Sequence, residues 1–363
     1  MQFTIRAIED IYTIQFVYDQ YDEVVIDTSL LKYLGVMRYA IKYAFWALKI
    51  NGSLIIEEDF SKNSKASHKR IAFWQVRLEF FKSLGDDIEL VELDDSKGYL
   101  KAKKIQDRYT NNGFSFGIIY GAANNEEEQL TNSILSILEN INLNHYEYEI
   151  LICGPSNFEA NDYLTQFNSK NIYYIPYDLT SNKRFLITAK KNYLFLQTKY
   201  NIVAISHTRI LYAKDFAMET FKKKFDLSTT KVLVDQKGSK EKYLDFSLIT
   251  SYDIIKYPVD GIPAGNITHD FLYYMQKRVP YIDGGLTIFN KNIILESPYN
   301  DKIAWGEAED VEMCASMYFK GLLIDYFDSI ESESSTCKIK IKTSLRYKIK
   351  RYISNFLIRN GLL

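Results

Sequence analysis

Leu186–Leu211 reads LITAKKNYLFLQTKYNIVAISHTRIL, and its interpretation decides the fold. Two lysines and an asparagine stand at the start of a helix-length segment. An apolar run, Ile202–Ile205, follows and ends in Ser-His-Thr-Arg. Helix, buried strand, then a polar and basic strand end is the pattern of a parallel-sheet crossover, whose ligands collect at the carboxyl ends of the strands.

The same alternation extends upstream. Phe114–Tyr120 (FSFGIIY) is an apolar run too short for a helix, so it is expected as a buried strand. GAANNEEEQL then reads as a loop, and Leu130–Ile141 as an amphipathic helix. Tyr146–Cys153 and Asn171–Pro176 are the next strands. Downstream, Tyr281–Asn290 (YIDGGLTIFN) sets a glycine pair before an apolar strand, which permits close backbone approach to a ligand. Asn300–Cys314 (NDKIAWGEAEDVEMC) carries four carboxylates within six residues. An acidic first turn also complements a helix dipole, and a lone histidine after a strand is often an interior one.

Residues 186–211 resemble family-2 glycosyltransferases of GT-A fold, and a subset of them with I-T-x-K-K-N before the strand and H-D-x-I after it. This chain keeps Ile187-Thr188, Lys190-Lys191-Asn192 and His207, with Thr208 where that subset has Asp. The order G-G-x-x-[IV]-F, loop, W-G-E-x-E-D-V-E resembles the later half of the same fold. The resemblance implies an α/β, Rossmann-like GT-A domain over residues 113–330. It implies an inverting hexosyl- or related transferase moving a sugar from a nucleotide-sugar donor to a glycan or lipid-linked glycan acceptor of capsule or lipopolysaccharide type. Asp310 would be the base, with Glu309 beside it. Trp305 and Glu307 would meet the acceptor. Tyr120, Ala122, Ser156, Asn157, Lys190, Lys191, Asn192, His207, Arg209, Gly284 and Gly285 would line the donor site.

A diphosphate leaving group gathers negative charge as the sugar bond breaks, and something cationic must meet it. Either His207 ligates Mn²⁺ or Mg²⁺ with help from elsewhere, or Arg209, Lys190 or Lys191 supplies the charge without a metal. Ser156, Asn157 or Asp178 would read the nucleobase.

Residues 1–106 form a separate zone. Thr13–Tyr18 and Tyr21–Asp27 are expected as strands, Leu31–Leu48 as a helix, and Asn51-Gly52 as a turn. Ser53–Glu57 follows as a strand, His68–Ser83 as a helix and Ile88–Leu93 as a strand, before a polar connector, Lys101–Gly113. YDEVVIDTSLLKYL and LKINGSLIIEEDF resemble the second half of a class I methyltransferase. The glycine-rich turn that holds S-adenosylmethionine in that family has no counterpart here. The resemblance therefore implies a truncated docking or scaffold domain without S-adenosylmethionine. Phe221–Asp270 contains strand-like Lys231–Asp235 and turn-rich DGIPAGN, and is the expected seat of acceptor specificity. His269-Asp270 reads as a surface pair.

Composition bounds the rest. A net charge of −1 over 363 residues gives no global field to recruit nucleic acid, and none is expected as a partner. Three cysteines without a CxxC pair fit a cytoplasmic protein lacking a disulfide framework. No run of 18 apolar residues exists to span a bilayer. Residues 337–363 interleave Lys338, Lys340, Lys342, Arg346, Lys348, Lys350, Arg351 and Arg359 with apolar positions at helical spacing. Such a helix suits an anionic membrane surface on the inner face, or packing on the N-terminal zone or a partner. The rival to an enzyme is a non-catalytic scaffold of decayed transferase and methyltransferase folds in a glycan assembly complex, favoured by the missing acid at position 208.

Overall fold

The computed structural model describes residues 1–28, 34–58, 73–123, 125–144, 146–178, 186–236, 239–242, 246–250, 262–263, 278–303 and 308–336. The chain is a mixed α/β protein. Its two larger sheets are drawn from residues 2–104 and 114–334, and a small three-stranded sheet joins them.

The first sheet has the order β1 (Gln2–Ile5), β2 (Tyr21–Asp27), β3 (Leu48–Glu57), β5 (Tyr99–Lys104), β4 (Ile88–Asp94). β1, β2 and β3 run parallel, whereas β5 is antiparallel to both β3 and β4. Three expectations change here. Thr13 and Ile14 close a helix, α1 (Ile8–Ile14), instead of opening a strand, because Ile11 and Ile14 fall on one buried helical face. The Asn51-Gly52 turn is a kink within β3, with Asn51 at φ 68°. The connector begins as strand β5, where burial alternates along Tyr99–Lys104 and Lys104 turns inward.

α2 (Leu34–Ala47) and α3 (Phe73–Leu84) cover this sheet. Ile41, Phe45 and Trp46 of α2 are almost completely buried, each worth about 1.5–3 kcal/mol. So are Arg38 and Lys42, one helical turn apart. Arg38 pairs with buried Glu79 and donates to the Tyr318 carbonyl at 2.6 Å. Lys42 pairs with Asp226 at 3.0 Å, and Tyr43 donates to Asp325. α2 is thus the seam between the two parts of the chain. The apolar cluster around it runs on without a break into Val203, Leu227 and Met313.

The second sheet places β8 (Ile172–Pro176), β7 (Tyr148–Gly154), β6 (Phe114–Ile119) and β9 (Ile202–His207) side by side and parallel. β16 (Leu286–Asn290) is antiparallel to β9. β11 (Leu227–Gln236) pairs antiparallel with β16 and parallel with β17 (Ile324–Ser334), and β10 (Ile210–Leu211) closes that edge. β12 (Ser239–Lys242) hangs on β11, and β13 (Phe246–Thr250), β14 (Ile262–Pro263) and β15 (Arg278–Ile282) make the small sheet. The chain leaves β6 toward β7 and β8, then crosses back to β9 on its other side. That reversal puts a topological switch point at the carboxyl ends of β6 and β9, where ligands of open α/β sheets settle. The helices are α4 (Glu126–Asn144), α5 (Ala160–Leu164), α6 (Ile187–Gln197), α7 (Phe216–Phe221) and α8 (Glu309–Phe319). α4 starts four residues earlier than expected, since Glu126, Glu127 and Glu128 form an acidic first turn.

No described helix is long and apolar enough to cross a membrane. Residues 337–363, His269-Asp270, Trp305 and Glu307 lie outside the described residues.

Candidate functional site

Gly117, in the middle of β6, lets α6 lie close on the sheet: a Cβ there would stand 2.8 Å from Leu194 Cδ2. This close packing brings the start of α6 to the strand ends, and the residues of I-T-x-K-K-N divide the work. Ile187 is core. Thr188 donates to the Ile303 carbonyl at 2.6 Å. Asn192 donates to the Tyr299 carbonyl at 2.7 Å and to Asp301, and accepts the Tyr299 N–H at 2.9 Å. Thr188 and Asn192 are therefore a socket for the loop between β16 and α8, an internal role for an asparagine expected at the donor.

The two lysines diverge. Lys190 is buried and donates to the Tyr120 carbonyl at the end of β6. Burial pulls its pKa below the ordinary lysine value, against the pull of Cys153, Glu126 and Asp178. Lys191 reaches the other way, 3.1 Å from Asp310 Oδ1. Burial works against its charge, but Asp310, Tyr299 and Glu309 outweigh it and push its pKa up. Lys191 thus stays protonated across the physiological range.

Asp310 is held from a second side. The Gly284 N–H donates to Oδ2 at 2.9 Å, and a Cβ on Gly284 would collide with the carboxylate. The next residue, Gly285, accepts the His207 N–H at 3.1 Å. The glycine pair therefore ties the end of β9 to the start of α8. Ala308, at φ 61°, turns the chain into α8 through a conformation that non-glycine residues seldom adopt. Glu309 is buried beside Asp310. The Arg209 guanidinium lies over Gly285, its Nη2 3.2 Å from where a Cβ would stand, with the Asp283 carboxylate near the same point.

The remaining donor-site residues flank β6 and β7. The Tyr120 ring turns into the core against Phe158, with centroids 4.9 Å apart, so only its backbone faces the strand end. Ala122 is exposed with φ 56°. Ser156 bonds Asp178 through its backbone at 2.9 Å and through its hydroxyl, and these bonds hold the Asp178 carboxyl below its usual range. Asn157 is exposed on the same loop. Glu126 was not singled out from the sequence. Its carboxylate binds the Gly121 and Ala123 N–H groups and the Thr208 hydroxyl; the acidic run before Leu130 was its one visible signal.

A basic and acidic set from α6, β9, the glycine pair and α8 thus meets beside the switch point. It offers a carboxylate with fixed orientation, a permanent ammonium and a buried lysine under the strand ends. Such a set can accept a proton at one point and answer developing negative charge at another.

No protein-family model matches the chain, and no curated protein matches it. Among solved structures, it is similar to S. aureus TarS 1-349 in complex with UDP-GlcNAc, with TM-score 0.41 and 12% identity over 63% of this chain and 60% of that one. It is similar to the mannosyltransferase PcManGT from Pyrobaculum calidifontis in complex with GDP-Man and Mn²⁺, with TM-score 0.40 and 8% identity over 89% and 76%. GalNAc-T7 with UDP, GalNAc and Mn²⁺ is similar at TM-score 0.46 and 13% identity, over 81% of this chain and 55% of that one. The chain spans about 60% of the length of the TarS 1-349 structure.

Proposed function

We propose that this protein is a glycosyltransferase of GT-A type that transfers a sugar from a nucleotide-sugar donor with inversion, using Asp310 as the base. The observation that carries the reading is the convergence of Lys191, Gly284 and Asp310, brought from three distant segments to one point beside the switch point. In the reaction, the acceptor hydroxyl oxygen attacks the anomeric carbon as the bond to the diphosphate breaks. Asp310 takes the hydroxyl proton; each carboxylate oxygen has a second lone pair beyond the one given to Lys191 or Gly284. An oxocarbenium-like centre develops meanwhile. Arg209 and Lys190 answer the charge on the departing diphosphate, and Ser156, Asn157 and Asp178 meet the base.

The acceptor is a surface glycan of capsule or lipopolysaccharide type, met by Trp305 and Glu307, with residues 337–363 resting on an anionic membrane face. Both assignments rest on the resemblance and on the basic, amphipathic composition of the tail. Residues 1–106 serve as a docking unit without S-adenosylmethionine.

The test is release of nucleotide diphosphate and glycan product by the wild type and by Asp310→Asn. The variant should lose about 10²–10⁴-fold in turnover while still binding nucleotide diphosphate. Undiminished turnover in it removes the assignment. The Thr208 substitution and the ion-paired state of Asp310 favour a second reading, a scaffold. It predicts that no nucleotide diphosphate, with or without Mn²⁺, raises the melting temperature.

A further inference from the structure

Arg38, on α2, is 1% exposed and meets α8 at the end opposite Asp310. Its Nε pairs with the buried Glu79 carboxylate of α3, which also accepts the Ser83 hydroxyl at 3.3 Å. Its Nη1 donates to the Tyr318 carbonyl at 2.6 Å and to the Leu322 carbonyl at 3.3 Å. The guanidinium carbon lies 3.7 Å from the centre of the Tyr318 ring. One side chain from the first sheet's helix layer therefore grips the last turn of α8 and the chain that leaves it.

α8 closes there in a tight cap. The Gly321 N–H donates to the Tyr318 carbonyl and the Leu322 N–H to the Met317 carbonyl, both at 3.1 Å, with Gly321 at φ 89°. A Cβ on Gly321 would collide with the Lys82 carbonyl of α3. At the other end, Lys191 and the Gly284 N–H hold Asp310. Asp310 and Tyr318 are separated by about 12 Å along the helix axis. Between them Met313, Cys314 and Met317 are buried, and Cys314 Sγ accepts the Ile282 N–H at 3.3 Å. A helix packed in this way moves as a rod, so a shift at its far end reaches the carboxylate.

Stability alone gives little reason for the buried pair, since apolar residues of similar volume often serve as well or better. Apolar residues lack direction, however. A guanidinium fork bonds a carboxylate and two carbonyls at once, and so sets both the height and the rotation of α8. Its charge also complements the negative pole of that helix.

We propose that Arg38 is a positioning residue for sugar transfer, acting through α8 to keep the Asp310 carboxylate against the Gly284 amide. This rests on the reading of Asp310 as the base, and it gives residues 1–106 a part in the transfer step itself.

The test is amide hydrogen exchange of the full chain, read at Gly284. Arg38→Lys keeps the charge without the fork, and Arg38→Met with Glu79→Leu removes the pair without stranding a charge. Asp310→Ala gives the rate of an amide that has lost its carboxylate. In both Arg38 variants Gly284 exchange should rise about tenfold or more toward that rate, while the amides of β6 and β9 keep theirs. Turnover of a panel of uridine and guanosine diphosphate sugars, with water as acceptor, should fall about tenfold to a hundredfold. Affinity for UDP or GDP should stay unchanged, and the turnover effect should vanish in an Asp310→Asn background. Gly321→Ala presses on the same helix end from α3 and should act likewise, which keeps the test available if an Arg38 variant fails to fold. Unchanged exchange at Gly284, or a rise shared by every strand, would show a seam fastener only and overturn the proposal. Faster exchange with full turnover, where Asp310→Asn is inactive, also overturns it. Undiminished turnover in Asp310→Asn defeats the base reading itself, whatever the Arg38 variants do.

Discussion

Asp310 and Lys191 are 119 positions apart in sequence and 3.1 Å apart in space. The sequence made both residues candidates, Asp310 as a base and Lys191 as a charge for the donor. It did not pair them, because nothing in local spacing tells which of two adjacent lysines faces which neighbour. Burial decides: Lys191 is fully enclosed and needs an anion, and Asp310 meets it at ion-pair distance. Lys191→Met should therefore lower stability by about 3 kcal/mol or more, read by urea unfolding. Gly284→Ala should displace the Asp310 carboxylate from its place against the 284 amide, lowering turnover more than nucleotide binding; equal activity would mean the carboxylate has freedom to move. Glu126 escaped notice because its task depends on a left-handed turn at Ala122 and on a strand 82 residues away.

At the scale of elements, strands β6, β7, β8, β9, β16 and the helix α6 were legible, because each is a short apolar run or a helix-length pattern bounded by turn residues. α1 was not, since TIQFVY carries β-branched and aromatic residues that also suit a helix face once Ile11 and Ile14 share one side. α2 shows a different limit. Its apolar spacing gave the helix, but not that Arg38 and Lys42 are buried with it and enter the seam between the two sheets. Lys42→Ala leaves Asp226 buried with Tyr109 and the Leu323 N–H as its remaining donors among the described residues, so the loss should approach about 3–5 kcal/mol in chemical unfolding. The same seam predicts a pH dependence. Burial lifts the Asp325 carboxyl to about 6, partly offset by the Tyr326 N–H, Tyr43 and Lys223. Its folded pKa is raised above the unfolded one, so between about pH 4 and 6 the folded state holds the extra proton and Asp325 favours folding more as pH falls. Asp325→Asn should lose that dependence: the stability of wild type relative to the variant should rise by about 1 kcal/mol from pH 7 to pH 5. A constant difference would contradict the burial argument.

Over the whole molecule, the alternation of strand and helix made two α/β layers readable, but not their union. The apolar cluster passes from Val24 and Phe45 through to Val203 and Met313 without interruption. Buried ion pairs and hydrogen bonds from Arg38, Lys42 and Tyr43 stitch the same surface. A chain beginning at residue 107 would expose that surface, and should be aggregated or lack near-ultraviolet circular dichroism. A soluble, cooperative fragment would mean that the first sheet is only appended. The long core also explains how one site can be assembled from α6, β9, β16 and α8, whose segments span residues 187–319. All of these elements are braced on the same continuous packing, so the switch point presents a preformed surface. Heating the full-length chain with a panel of uridine and guanosine diphosphate sugars, with Mn²⁺ present, reads that surface directly. At least one donor should raise the melting temperature by several degrees, as ligand binding to the folded state must, and the shift should persist in Asp310→Asn. If no nucleotide sugar moves the transition, donor binding at the meeting point of β6 and β9 is wrong.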